Sequence, residues 1–444
     1  MRFRWTRVVV ALAAAGGATA PTLDVRADAR AGATGALHPD LERAAAAVRA
    51  AKGPEVYAAL RELWRTWDRA DPAQVEEAIA AVAEDPQTAA PVKVYAELLR
   101  AYARRRRGDL DGAQARVDKL GFVRTWMSVG PFDNENKGGF DRAFPPEQEL
   151  AEPIVPGRAY DGKERPVRWR VPPEITHFGW FDFGDLVRPR ENVCAYATTF
   201  VRAKAGAKAP RKVSLWLGSE GATKVFWTGE EVLSDAAYRE LDVDRVAATV
   251  SLAPGLNRLM VKVCGGDDAP KLALRIADEK GAPELGVEAV ADPESSLAAA
   301  KNAKKPAQGD GKKGRAAKAK PVERGGLVGP VQAFERALAA GKPTPVLLEA
   351  YARYLHVTGG DPKAEHKARD LARRAAEAEP TVARLLLAGR LAEDRNQQRE
   401  WIDKAAKIAG RDDVDVLLAQ AQLAQSGINW REAVGSSRCT SRRG

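Results

Sequence analysis

From about Leu41 to Leu120 apolar residues recur at three- and four-residue steps. Leu60, Leu63, Trp64 and Trp67 fall on one stripe of a 3.6-residue helix, which predicts amphipathic helices packed on a partner. Asp71-Pro72 and Asp85-Pro86 read as helix starts, because Asp caps free N–H groups and Pro fits the first turn. At Gly121 the period drops to two. Val213, Leu215 and Leu217 alternate with other residues, as do Leu259, Val261 and Val263, and then Leu272, Leu274 and Ile276. Gly, Pro, Asp and Asn turns separate these runs. The pattern predicts antiparallel strands with one buried and one wet face, and its repetition predicts a β-sandwich over 121–290. Between 291 and 326 large apolar residues almost vanish, so this stretch cannot bury a core and reads as a flexible basic linker. Helical spacing returns at Val328 and fades after Val434. The expected organisation is a signal peptide over 1–29, helical repeats over 38–120 and 327–434 around the sandwich and linker, and an irregular tail over 435–444. The fold class is multidomain α + β.

The termini and the charge refine this picture. Arg2, Arg4 and Arg7 precede an apolar run from Val8 to Ala20, too short to span a bilayer and of the length of a signal-peptide core. Ala27-Asp28-Ala29 is a small-x-small cleavage site; Ala18-Thr19-Ala20 competes, with Pro21 hindering it. No Cys follows the run, so a lipid anchor is not expected, and an uncleaved membrane anchor is the alternative. No later segment reaches spanning length, so the expected location is the periplasm or the exterior. The net charge is +10, but 301–324 holds nine basic residues against two acids. That net of +7 leaves +3 for the rest, which the three leader arginines match. Basicity confined to a linker argues against base readout, and no nucleic-acid partner is expected. Arg104 to Arg107 reads as a solvated helix end. The final residues, Gly435 to Gly444, are not the polar capping helix that a stacked array needs, and read as a truncation or frameshift.

Chemistry-bearing residues are sparse. Cys194, Cys264 and Cys439 do not form a disulfide framework. A Cys194–Cys264 bridge is open, but Cys264 shares strand parity with Lys262 and belongs on the outer face, which counts against it. His38, His177, His356 and His366 have no zinc spacing. Asp133, Asn134 and Glu135 gather hard oxygen ligands and are the candidate calcium loop, against the alternative of a polar turn. Trp126, Phe132, Trp180 and Trp227 are candidates for a ligand-stacking platform, against the alternative of buried core aromatics. Asp182 and Asp185 lack a partner for acid–base work and read as loop caps. Tyr351, Tyr354 and Trp401 read as core. No cofactor is expected.

Two sets of motifs carry a family resemblance. In the helical parts, Ala101, Gly108, Ala113, Val117 and Leu120, and later Ala368, Ala372, Ala375 and Pro380, occupy positions like those of tetratricopeptide repeats. Ala388 and Ala421 stand 33 residues apart, close to that period. In the strand region, Trp126 to Asn134 with Gly139-Phe140 and Phe144 to Glu147 forms one motif. The second is Leu252 to Val263, with Gly255 and Asn257 in its turn, preceded by Lys224 to Glu230. Together they resemble the galactose-binding-like (jelly-roll) sandwich of large exported bacterial proteins that join tetratricopeptide repeats to a transglutaminase core. Such domains often carry Asn-Gly at a hairpin where this chain has Thr228-Gly229. The resemblance implies the non-catalytic front part of such proteins, since no Cys/His/Asp core surrounds Cys194, Cys264 or Cys439. The expected function is an exported, non-enzymatic binding or scaffolding protein that takes a protein or peptide on its helical repeats. The alternatives are a carbohydrate-binding accessory module of an envelope enzyme and a truncated front part of a transglutaminase-like enzyme.

Overall fold

The computed structural model describes residues 37–172, 176–204, 209–300, 327–359, 361–410 and 412–426. The leader, most of the linker and the tail lie outside them. The first helices are α1 (Pro39–Ala50), α2 (Glu55–Arg65), α3 (Pro72–Glu84), α4 (Ala90–Arg106) and α5 (Leu110–Val117). Asp71 caps α3 by accepting the Ala73 N–H at 2.8 Å. Asp85 does not open α4. Its carboxylate takes the Gln87 N–H at 2.8 Å in a turn, and α4 begins five residues later with Pro91 in its first turn. The same side-chain bond that caps a helix also closes an Asx turn, so Asp-Pro alone cannot separate them. Helices give way to strands at Gly121, whose φ of +81° and contact at 2.6 Å between a would-be Cβ and the Ile276 carbonyl oxygen admit no side chain.

The middle of the chain builds two antiparallel sheets. It runs through β1 (Met127–Asp133), α6 (Pro145–Gln148), β2 (Ala159–Asp161), β3 (Pro166–Arg168), β4 (Thr176–His177), β5 (Trp180–Asp182), β6 (Val193–Ala203) and β7 (Arg211–Glu220). There follow β8 (Ala222–Trp227), β9 (Glu230–Asp235), β10 (Val246–Leu252), β11 (Asn257–Cys264), β12 (Lys271–Ala277) and β13 (Val287–Val290). One sheet has the order β1-β6-β11-β8-β9 with β13 also on β6; the other is β10-β7-β12-β5-β4, and β2 and β3 form a separate ribbon. The inward residues of the alternating runs meet in one core, with Val213, Leu215 and Leu217 in the same cluster as Leu259, Val261 and Val263. Asn257 closes the turn before β11: its amide donates to the carbonyls of Ala253 (2.9 Å) and Gly255 (3.1 Å) and accepts the Ala253 N–H. Thr228-Gly229 does make a two-residue hairpin, Thr228 accepting a φ of 47° that Asn or Gly adopts more readily.

The outer faces of the sheets are not wet, contrary to the alternation. On one sheet Phe132, Tyr196, Phe200, Met260 and Cys264 lie beneath Phe140, Phe144 and Trp169 of the segment between β1 and β4. Ala299 of α7 (Pro293–Ala300) joins them, and Ser296 Oγ accepts the Ile154 N–H at 2.6 Å, so the expected linker starts too early. On the other sheet, Ala273 packs on Val94, Leu98 and Ala101 of α4. Alternation reports which residues are apolar, not what covers the rest. The charged outer residues are buried because they are paired. Lys262, fully buried, donates to the Phe140 and Arg142 carbonyls (3.1 and 2.7 Å) and to Glu147 (2.6 Å), which satisfies its three ammonium protons.

The same geometry settles the cysteines. Cys264 does share the outer face with Lys262, but Cys194 is its direct partner on the neighbouring strand, with Cα atoms 3.9 Å apart, and the two form a disulfide. Cys264 stands on the outer face, as strand parity expects, and the bridge forms, contrary to expectation, because its partner occupies that same face.

The last helices are α8 (Pro330–Ala339), α9 (Pro345–Val357), α10 (Pro362–Ala378), α11 (Val382–Leu391), α12 (Arg395–Ala409) and α13 (Val414–Ser426). Ala376, Leu385, Ala388, Ala405 and Val416 of α10 to α13 form a cluster of their own, but the leading helices share a core with the start of the chain. Ala58 and Tyr57 of α2 pack with Phe334 of α8 and with Tyr351 and Tyr354 of α9, so the two helical stretches join through α2 and α9.

Candidate functional site

The junction of α2, α9 and the loop between β9 and β10 is a buried ionic cluster. Arg61 of α2 donates twice to Asp242 Oδ1 (3.0 and 2.7 Å) and once to the Val243 carbonyl. The Tyr354 hydroxyl of α9 donates to the other Asp242 oxygen at 2.6 Å. Arg245 lies 3.6 Å from that oxygen and bonds the Thr358 hydroxyl at 2.8 Å. Behind it, Arg239 grips Asp235 with two bonds, and Arg275 grips Asp244. Arg61 and Asp242 are 4% and 7% exposed, so neither charge is tolerable without the other. Burial works against the Arg61 charge, but Asp242, then the Tyr354 and Tyr95 rings, hold the guanidinium ionised. Burial raises the Tyr354 phenol well above its usual range, and raises Asp244 despite Arg275. For Asp235 burial is outweighed by Arg239, and its carboxyl is lowered.

This cluster forms the floor of a cleft of about 850 Å³ between the helices and the sheets. The helical wall carries Trp64, Tyr95 and Tyr102, with Leu98 and Leu99 between them; Arg65 and His356 stand at its rim. The sheet wall carries Trp180, Glu220, Glu240, Asp268 and Lys271. Tyr102 and Trp180 meet edge to face at 5.9 Å across the boundary, and Arg105 lies over Trp180 (5.1 Å) and Phe178 (4.5 Å). The run Arg104 to Arg107 does end α4 with Arg105 to Arg107 exposed, as expected, but the exposed guanidiniums also stack. Arg105 and Arg106 stack on aromatics, Arg106 on Trp64 at 4.7 Å. Burial pushes the Tyr95 phenol up to about 12. His356 is held below the usual imidazole range by burial and then by Arg390, Arg65 and Arg353. A half-buried aromatic lining with a few polar groups at the rim is suited to holding an organic ligand. Thr358 carries the only aliphatic hydroxyl of the lining among the described residues, and it is occupied by the Tyr354 carbonyl and Arg245.

The residues singled out from sequence separate on this map. Trp126, Phe132 and Trp227 are core, 3%, 0% and 4% exposed, and offer no stacking face. Trp180 alone of the four lies in the cleft. Asp133, Asn134 and Glu135 do not converge on a cation. Asn134 is buried, with its amide spent on the Gly265 carbonyl, the Tyr238 hydroxyl and the Gly139 N–H. Lys163 already supplies the positive charge, 2.6 Å from Glu135 and 3.8 Å from Asp133. The loop is a polar turn, and among the described residues no group of three acidic, His or Cys side chains has metal-binding geometry. The cleft residues Trp64, Tyr95, Tyr102 and Asp242 come from elements far apart in sequence, and only the helical stripe containing Trp64 gave a sign of them.

No protein-family model matches the sequence, and no curated protein matches it. Among solved structures, the chain is similar in part to a β-glucosidase from Kluyveromyces marxianus in complex with glucose. The identity is 11% and the TM-score 0.21, over 34% of this chain and 15% of that one. It is also similar to the GH31 α-xylosidase from Xanthomonas citri, at 13% identity and a TM-score of 0.20, over 39% of this chain and 18% of that one. The chain thus spans less than a fifth of either enzyme, and likeness at this level carries no argument about function.

Proposed function

We propose that this chain is an exported, non-catalytic binding protein that takes an extended peptide segment of another protein in the cleft between its helices and its sheets. On this reading the helical hairpins are tetratricopeptide-like repeats, and the two sheets are a β-sandwich of the galactose-binding-like kind, as the motifs suggest. The observation that carries the reading is the cleft itself. Side chains from α2, α4, β5, the β9–β10 loop and α9 converge there around a pre-formed, ion-paired floor. Export is supported by the leader pattern and by the Cys194–Cys264 disulfide, since such bonds persist in oxidising compartments. The disulfide also supports a non-catalytic role, because it leaves neither cysteine free as a nucleophile. The second reading, glycan binding, draws on Trp180, whose half-buried ring is placed to stack on a sugar. Array screening of the folded protein against peptides and glycans decides between them. Peptides should be selected, and Trp180→Ala should weaken them at least tenfold. Selection of glycans alone, or peptide binding untouched by Trp180→Ala, overturns the reading.

A further inference from the structure

The two walls of the cleft carry opposite charge. On the helical side, Arg65 has one acidic neighbour, Glu62, at a long 3.9 Å, and His356 sits beside it. Arg390 at the end of α11 is exposed and has no hydrogen-bond or ion-pair partner among the described residues, yet it is close enough to both to shift their surroundings. Partial burial, then Arg353, lowers the Arg390 guanidinium, and Glu62 partly offsets them. On the sheet side, Glu240 and Asp268 are exposed carboxylates that make no ion pair among the described residues, whereas Glu220 is neutralised by Lys271 at 2.6 Å. Between the walls lies the apolar lining of Trp64, Tyr102 and Trp180.

We propose that the cleft selects an extended peptide of alternating charge, with acidic side chains against Arg65 and Arg390 and basic ones against Glu240 and Asp268. This rests on the peptide-binding reading and names its ligand class. The physical reason is the period of an extended chain. Side chains i and i+2 share one face, about 6.6 Å apart, and i+1 points the opposite way, so strict acid–base alternation sorts the two charges onto two walls. A polyanion meets Glu240 and Asp268 as repulsion, and a polycation meets the arginines. Arginine is suited to the acidic side because its planar fork matches a carboxylate in two parallel bonds.

The test uses the full folded chain and two synthetic octapeptides of identical composition, titrated calorimetrically. In one, glutamate and lysine alternate strictly; in the other, all the glutamates precede all the lysines. Polygalacturonate is a third probe. The expected result is at least tenfold tighter binding of the alternating peptide. That preference should weaken with salt and fall at least fivefold in Arg390→Gln and in the Glu240→Gln/Asp268→Asn pair. These positions are exposed and unpaired among the described residues, so the variants retain the fold, which circular dichroism checks. Equal binding of the two peptides, indifference to both variants, or preference for polygalacturonate overturns the proposal. If array peptides still bind in a Trp180-dependent way while these two do not differ, the charge pattern is wrong and the peptide reading stands. If no peptide binds at all, both fall.

Discussion

Replacing Asp242 by Asn removes one negative charge from the point where three parts of the chain meet. Asp242 accepts two bonds from Arg61 and one from Tyr354, and is the nearer carboxylate to Arg245. Asparagine keeps the volume and one acceptor oxygen, but leaves the Arg61 guanidinium, 4% exposed, with no ion-pair partner, and Arg245 with Asp235 alone, at 3.9 Å. Breaking a buried pair from one side costs about 3–5 kcal/mol, most of it the desolvated charge left behind. Tyr354→Phe removes only one hydrogen bond to a charged group and should cost about 1.5–3 kcal/mol. Arg61→Met in the Asp242→Asn background removes the stranded charge, so the double variant should be less destabilised than the sum of the singles by about 2 kcal/mol. Urea denaturation followed by tryptophan fluorescence measures all four proteins. The loss should be local as well: amide exchange in α9 should accelerate in Asp242→Asn more than exchange in β11. A cost under about 1 kcal/mol for Asp242→Asn, or strict additivity in the cycle, would refute the view that this carboxylate locks the junction.

Three further outcomes follow from the fold. Cys194→Ala/Cys264→Ala opens a 70-residue loop and should cost about 4 kcal/mol on the chain-entropy estimate, reproduced in the wild type by adding a reductant to the denaturation series; no response to reductant would mean the bridge does not form. Thr228→Asn should stabilise by about 1 kcal/mol in the same assay, because Asn tolerates the left-handed conformation that costs a β-branched residue about 1–2 kcal/mol, and a loss would disprove the turn. Asp235, lowered by Arg239, contributes stability that is complete above the ordinary aspartate range near about pH 4 and is lost as pH falls through its folded value. Asp244, raised by burial, has the opposite sign, favouring the fold when protonated and losing that contribution as pH rises. Asp235→Asn should therefore flatten the acid limb of the stability curve, and Asp244→Asn should steepen it.

Much of the secondary structure was legible because it is local. The stripe through Leu60 and Leu63 lies on α2, and the alternating sets of β7, β11 and β12 line the shared core of the two sheets. The turn at Asn257 was legible for the same reason, since a side chain closing its own turn needs no distant partner. What failed was long-range. Nothing in the period of β11 tells that Phe140 and Phe144 will cover Met260, or that Cys194 will stand opposite Cys264. The choice of Trp126, Phe132 and Trp227 as ligand contacts failed likewise, because an aromatic residue reads the same in a core and in a cleft. Trp180 differs from them only in what the fold places beside it. Asp242 was not singled out at all, since a lone acid in a polar loop carries no sign of the arginine 181 residues earlier that neutralises it.

The packing of α2 on α9 also has a consequence in time. Arg61 and Tyr354 are separated by most of the described length of the chain, and Asp242 stands between them. At about 5–20 residues per second of synthesis, some 15–60 seconds pass between the appearance of α2 and that of the helix it packs on. For that interval Ala58 and Tyr57 lack their neighbours on α8 and α9, and for the first 181 residues of it the Arg61 guanidinium lacks its carboxylate. The face of α2 that meets α9 is therefore finished last, long after the core that α1 to α4 share among themselves, and it stays exposed on the growing chain until the final helices arrive.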